Sequence, residues 1–266
     1  MNKIGILQGR LTPSNGRGTQ FFPEENWRQE FSVAKDIGFE CIEWLVKKDD
    51  PRNNPLWNDG AREEIKELIK TSGVSVPSVH GFYSKDENYK KIAEELVELT
   101  ADIGAKTVLI SFFHDNILET DDDKKAAVEQ LQKALQKAET LNIRLGIEAE
   151  IPASGIMRFI ELFQSEAVGS YYDIGNMVSL DVDVIEEIKL LGKKIIGVHV
   201  KDRPKGGGKS LPFGEGDSDF PAIFQALKEV GYSGAYIFQG ARVEGIDDIE
   251  LNKRYYEYIA DILKTV

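Results

Sequence analysis

IIGVHVKDR, residues 195–203, runs from apolar residues into the ionisable cluster His199, Lys201, Asp202 and Arg203, and a loop rich in glycine and lysine follows. A buried β-strand that ends in groups a ligand can reach has this pattern. The same unit recurs on both sides of it. Short Ile/Val-rich runs at 3–8, 39–45, 74–80 and 106–111 in the first half, and at 143–149, 168–173 and 235–239 in the second, read as further strands. Each is followed by an amphipathic stretch with apolar residues at helical spacing. Trp27, Phe31, Ala34 and Ile37 end at Gly38, and Ile65, Leu68 and Ile69 at Gly73. Ile92, Leu96, Leu99 and Ile103 end at Gly104, where a left-handed glycine suits a helix C-terminus. Asp121, Asp122 and Asp123 favour the positive end of the next helix, whose stripe is Ala127, Val128, Leu131, Ala134, Leu135 and Ala138. A short helix around Phe159, Leu162 and Phe163, one over Val184, Ile185, Ile188 and Leu191, one over Phe220, Ile223, Phe224 and Leu227, and one over Tyr255, Ile259, Ile262 and Leu263 complete the series.

Eight strands in strict alternation with helices predict one domain over residues 1–266, a (β/α)₈ TIM barrel, because parallel strands need covering helices and eight of them close on a filled core. A doubly wound open sheet is the alternative. Its dinucleotide turn would show the G-x-G-x-x-G spacing, which GRLTPSNGRG (9–18) lacks.

At 266 residues and 41% hydrophobic content the chain can bury a large core. With 33 Lys+Arg against 45 Asp+Glu, the net charge of −12 opposes general affinity for nucleic acid or an anionic membrane. One cysteine, Cys41, excludes an internal disulfide, and MNKIGILQGR offers too short an apolar run for a signal peptide or membrane span. The simplest compartment is the cytoplasm.

A barrel gathers its functional groups at the C-terminal ends of its strands. All three histidines, His80, His114 and His199, fall there, with Gln8 and Arg10, Glu43 and Trp44, Glu148 and Glu150, Asp173 and Asn176, Lys201, Arg203, and Gln239 with Arg242. Glu148, Asp173, His199 and Gln239 offer carboxylate and amide oxygens and one imidazole. That donor set suits one divalent ion, Mn²⁺, Mg²⁺ or Co²⁺ ahead of Zn²⁺, with no thiolate on offer. Several neighbours have plainer roles. His114 reads as a solvated loop residue, and Glu150 belongs to the rim if its strand ends at Ala149. Trp44 and Phe112 form either an apolar wall for a ligand or core packing, and Cys41 is a small buried hydrophobe. Glu215 and Asp217 order a loop and cap the helix beginning near Asp219.

The segments IGILQGRLTP (4–13), GFECIEW (38–44), GIEAE (146–150), YYDIGN (171–176), VHVKDR (198–203), LPFGEGD (211–217) and IFQGAR (237–242) resemble the xylose-isomerase-like TIM-barrel superfamily, in particular its sugar-phosphate isomerase and epimerase branch. The likeness spans nearly the whole chain. It implies a divalent metal on Glu148, Asp173 and His199 and a small-molecule sugar or sugar phosphate as partner, with a homodimer possible. Where many members place a glutamate after strand eight this chain has Gln239, and an amide cannot exchange a proton as a carboxylate can.

The chemistry then expected is abstraction by Glu148 of the proton α to a metal-polarised carbonyl, through an enediolate. One base suffices for aldose/ketose isomerisation. Epimerisation at C3 needs an acid on the opposite face, from His80, Lys201 or Glu150. Elimination of water, by a metal-dependent dehydratase, also fits one base. Lys201, Arg203, Lys205, Gly206, Gly207, Gly208 and Lys209 precede a helix and could hold a phosphate with Arg242, although a solvated lid has the same composition. Two rivals lie in other classes. An apurinic-site endonuclease needs more histidines and a basic surface, and a non-catalytic sugar-binding barrel would have lost activity at Gln239.

Overall fold

The computed structural model describes residues 2–113 and 116–266. His114 and its neighbour Asp115 lie outside the described residues, and so does the reading of His114 as a loop residue. Eight parallel strands close into a barrel in sequence order: β1 (Ile4–Leu7), β2 (Cys41–Leu45), β3 (Ser78–His80), β4 (Thr107–Phe112), β5 (Arg144–Ala149), β6 (Val168–Asp173), β7 (Ile195–Val200) and β8 (Tyr236–Phe238). The expected TIM-barrel fold is the observed one. Around the strands lie α1 (Gln29–Ile37), α2 (Asp59–Ser72), α3 (Tyr89–Asp102), α4 (Asp121–Leu141), α5 (Ala153–Glu161), α6 (Ile174–Ser179), α7 (Val184–Leu191), α8 (Phe220–Glu229) and α9 (Asp248–Leu263).

Local chemistry sets the boundaries. Thr120 and Asp123 form a reciprocal capping box at the start of α4, and α4 ends on Asn142 in the left-handed region. The expected third strand, 74–80, shrinks to three residues because Pro77 has no N–H for the ladder; only an isolated bridge joins Ser75 to Cys41. Strand β6 runs straight into α6, a helix that period-3.6 reasoning misses because six residues give less than two turns of pattern. Leu162, expected to pack with Phe159 and Phe163, is exposed, one residue beyond α5.

Strand alternation sorts side chains between the barrel interior and the helix layer. On β2, Glu43 points inward, while Trp44 faces outward against Phe22 and Trp27, with centroids 5.5 and 5.4 Å away. On β6, Tyr171 and Asp173 face inward. Tyr171 crosses the barrel between two glycines: a Cβ at Gly197 would sit 2.2 Å from its ring, and one at Gly146 2.8 Å. Only glycine on β5 and β7 leaves room for this phenol, whose hydroxyl reaches Glu43.

The barrel closes where β1 pairs with β8, Ile4 opposite Tyr236 and Ile6 opposite Phe238. Side chains stitch this seam from both ends. Asn2 Nδ2 donates to the carbonyls of Tyr232 and Gly234, and Arg10 Nη1 to that of Gly240 at 2.8 Å. Arg242 returns the favour, with Nη2 on Gly9 O at 2.6 Å and Nη1 on Thr12 O at 3.0 Å. Beneath them the buried Glu30 carboxylate accepts from the N–H groups of Gly9 and Leu11 and from the Thr12 hydroxyl. Burial pushes Glu30 up to about 7 against those hydrogen bonds. Among the described residues no helix is long and apolar enough to cross a membrane.

Candidate functional site

His199, at the end of β7, is the hub of the site and has no solvent exposure. Its Nε2 lies 2.6 Å from Glu43 Oε1, and its Nδ1 lies 3.1 Å from Glu148 Oε1 and 3.9 Å from Asp173 Oδ2. Burial alone would lower its affinity for a proton. The carboxylates of Glu43 and Glu148 outweigh that and lift it to about 10, so the ring is an imidazolium near neutral pH. Glu43, entirely buried, is held below the usual carboxylate range: burial opposes ionisation, but His199 and His80 overcome it.

Two clusters share this imidazole. In one, Glu43 Oε1 also meets His80 Nδ1 at 3.2 Å, and Oε2 accepts from Ser78 at 2.7 Å and from Tyr171. In the other, one oxygen each of Glu148 and Asp173 and one nitrogen of His199 lie within 4.8 Å of one another. Asp173 also caps α6 through the Asn176 N–H at 2.9 Å and accepts from Lys201 Nζ at 2.8 Å. Burial opposes its ionisation, but Lys201 and His199 hold its carboxyl below the ordinary value. Gln239 follows β8, with its amide nitrogen 3.4 Å from His199 Nε2.

Glu148 Oε2 is buried and, among the described residues, makes no hydrogen bond. A buried carboxylate oxygen without a partner costs free energy unless a cation or a substrate proton meets it. Oxygen donors plus one imidazole fit a hard or borderline divalent ion at Glu148, Asp173 and His199. Two of the protein's own cations hold those carboxylates here. Metal binding therefore requires His199 to release its Nδ1 proton and Lys201 to leave Asp173.

Above the hub opens a cavity of about 930 Å³. Of the residues expected to contact substrate, His80, Glu150, Asn176, Lys201, Arg203 and Arg242 line it, and Glu148 and Gln239 form its floor. Four other expected contacts do not reach it. Gln8 is buried with Oε1 on the Leu45 N–H, and Arg10 is buried beneath the seam, where burial and the neighbouring Arg242 lower it to about 10. Glu43 lies below the two histidines. Trp44 is walled into the helix layer, with its indole N–H on Asn54. Phe112 likewise packs on Tyr83 and Phe159. Glu150, just past β5, pairs with Arg203 at 2.5 Å, and Arg203 also holds Asn176 Oδ1 at 2.9 Å.

The glycine loop is ordered differently from a phosphate cradle at a helix end. Asp219 caps α8 itself, through the Ala222 N–H, and Asp217 takes the Lys205 N–H. Asp202, which has no solvent exposure, gathers the N–H groups of Gly214, Gly216 and Ser218 and so folds the loop back. Lys209 and Ser210 are thereby set at the cavity mouth, joined from β2 by Lys47 and Lys48. Sequence reasoning passed over Ser78 and Tyr171, although each stands two residues before an inward group, His80 or Asp173, and so shares its face. Lys47 and Lys48 carried no such signal.

Comparison with known proteins agrees with this architecture. L-ribulose-5-phosphate 3-epimerase UlaE of Escherichia coli O1:K1 / APEC is 28% identical over 233 residues, covering 81% of this chain and 82% of that protein. The solved structure of D-psicose 3-epimerase with D-tagatose, from Clostridium cellulolyticum H10, superposes with a TM-score of 0.77 at 14% identity, covering 98% of this chain and 99% of that one. That of IOLI protein with a binding zinc atom gives 0.76 at 16% identity, over 98% and 99% of the respective chains. The sequence profile of the xylose isomerase-like TIM barrel matches residues 31–257, and the chain belongs to that family.

Proposed function

We propose that the protein is a metal-assisted epimerase that inverts C3 of a ketose or ketose phosphate. The observation that carries this reading is the buried, unbonded Glu148 Oε2 on the cavity floor beside Asp173 and His199. Glu148, Asp173 and His199, with the Gln239 amide oxygen, would hold the ion, and a divalent ion there supplies Lewis acidity that makes the hydrogen α to a substrate carbonyl acidic. Glu148 is the base: Oε2 takes the C3 proton while the electron pair passes into the neighbouring carbonyl. Lys201, on the same side through Asp173, donates to a sugar oxygen and balances charge as the carbonyl oxygen becomes negative. Asn176, positioned by Arg203, fixes a hydroxyl.

Support for a phosphorylated substrate comes from the mouth. Lys47, Lys48, Lys201, Arg203, Lys209 and Arg242 face Asp49, Glu148 and Glu150 across one cavity, a positive balance in a chain of net charge −12. The named activity of the UlaE relative is in keeping with it. Gln239 favours a second reading, one-base isomerisation between C1 and C2. Protein stripped with chelator and reloaded with Mn²⁺ would be incubated in D₂O with a panel of ketoses and ketose phosphates and followed by NMR. Deuterium at C3 is expected, whereas deuterium at C1 alone would establish isomerisation. No exchange at either carbon, with metal bound, would remove both readings.

A further inference from the structure

Inversion at carbon needs a proton-transferring group on each face of the substrate, and the Gln239 amide cannot be one of them. The geometry points to His80, oriented by Glu43, as the second group, facing Glu148 across the substrate; this assignment rests on the epimerase reading above. His199 separates the two. Its Nδ1 edge meets Glu148 at 3.1 Å and its Nε2 edge meets Glu43 at 2.6 Å, and the two nitrogens of an imidazole point in divergent directions. The His80 ring lies on the Glu43 side, hydrogen-bonded to it through Nδ1 and nearly parallel to His199, with centroids 5.5 Å apart at 14°. His80 and Glu148 both line the cavity, so a sugar seated above His199 meets a carboxylate on one side and an imidazole on the other.

The competing donors stand elsewhere. Lys201 lies beside Asp173, on the Glu148 side of the hub, so it meets the same substrate face as Glu148, and Glu150 is held by Arg203. Among the described residues, His80 Nε2 by contrast meets the Gln20 side-chain nitrogen at 3.4 Å, a long contact that substrate can displace. A carboxylate on Nδ1–H orients the ring and leaves Nε2 as the working end, which gives up a proton when both ring nitrogens carry one. In the step, the C3–H bond breaks and its proton goes to Glu148 Oε2, with the electron pair entering the adjacent carbonyl. A new C3–H bond then forms on the opposite face with the Nε2 proton of His80, as the pair returns to carbon. One proton is taken and one given; Glu148 ends protonated and His80 neutral, and exchange with water restores both.

The test compares wild type with His80→Gln, His80→Asn and Glu148→Gln, each loaded with Mn²⁺ and checked for metal stoichiometry and thermal unfolding. Each is incubated in D₂O with ketopentose 5-phosphates and free ketoses. Both His80 variants should bind Mn²⁺ as wild type does and form the opposite epimer about 100-fold more slowly or worse. They should still place deuterium at C3 of one epimer with retention, because Glu148 takes and returns the proton on one face. Glu148→Gln should lose that exchange. Normal epimer formation by the His80 variants would overturn the assignment, and so would loss of all C3 exchange with metal still bound. Absence of C3 exchange in the wild type would sink the epimerase reading, and this assignment with it.

Discussion

Glu43→Gln removes the buried charge on one side of His199, and its effect should depend on pH in a defined direction. In metal-free protein His199 binds its proton up to about 10, against about 6.5 for an ordinary imidazole. Its contribution to stability is therefore complete below about pH 6.5 and is lost as pH rises towards 10, because between those values the folded state binds a proton that the unfolded chain has released. At about 1.4 kcal/mol per pH step, the whole interval is worth roughly 5 kcal/mol, and Glu43 and Glu148 share it. Glu43→Gln should remove about half, roughly 2–3 kcal/mol near pH 6.5, in line with the strength of a charge-assisted hydrogen bond. For a chain of this size that lowers the midpoint by about 4–12 °C. Urea unfolding of chelator-treated wild type and variant, at half-unit steps from pH 6 to 10, reads the difference. The two stability curves should converge as pH rises. Parallel curves across that range would refute the idea that the Glu43 charge holds the His199 proton.

Asp202→Ala leaves three loop N–H groups without their acceptor, at about 1–3 kcal/mol each where water cannot replace it, so a loss of about 3 kcal/mol or more is expected by denaturant titration. The same change should raise KM more than it lowers kcat, because Lys209 and Ser210 lose their place at the mouth. Gly197→Ala drives a methyl into the Tyr171 ring and should cost about 1–3 kcal/mol, with a shifted near-ultraviolet tyrosine signal; an unchanged midpoint and spectrum would contradict the packing described. Gln239→Glu adds a carboxylate to the proposed donor set and should tighten Mn²⁺ binding by about tenfold or more, measured by calorimetry. Lys48→Ala with Lys209→Ala should weaken inhibition by inorganic phosphate and leave turnover of an unphosphorylated ketose intact.

The barrel was legible because each β-strand is a short apolar run and each helix a periodic one. The strand ends then located His80, Glu148, Asp173 and His199 without any knowledge of spacing in three dimensions. What escaped depended on facing. Trp44 and Glu43 are adjacent in sequence, and only the pleat decides that one joins the helix layer and the other the hub. Gln8 and Arg10 stand at the correct end of β1, but the Glu30 clamp folds the following turn over them, and nothing local in Glu30 announces a buried carboxylate. Lys47 and Lys48 read as ordinary surface charge until the loop after β7 brings Lys209 to the same cavity.

The seam between the outermost strands has a consequence for how the molecule is made. Arg242 grips the carbonyls of Gly9 and Thr12, and Arg10 that of Gly240. During synthesis, residues 4–13 emerge from the ribosome long before their partners exist. Until then β1 offers an open edge, the Glu30 carboxylate has a turn to hold but no guanidinium above it, and the newborn polypeptide carries an unprotected, sticky flank. Closure should therefore come late, once β8 and Arg242 have been made and can dock on residues 4–13, and a chaperone that shields those residues until then would act at the moment of greatest need.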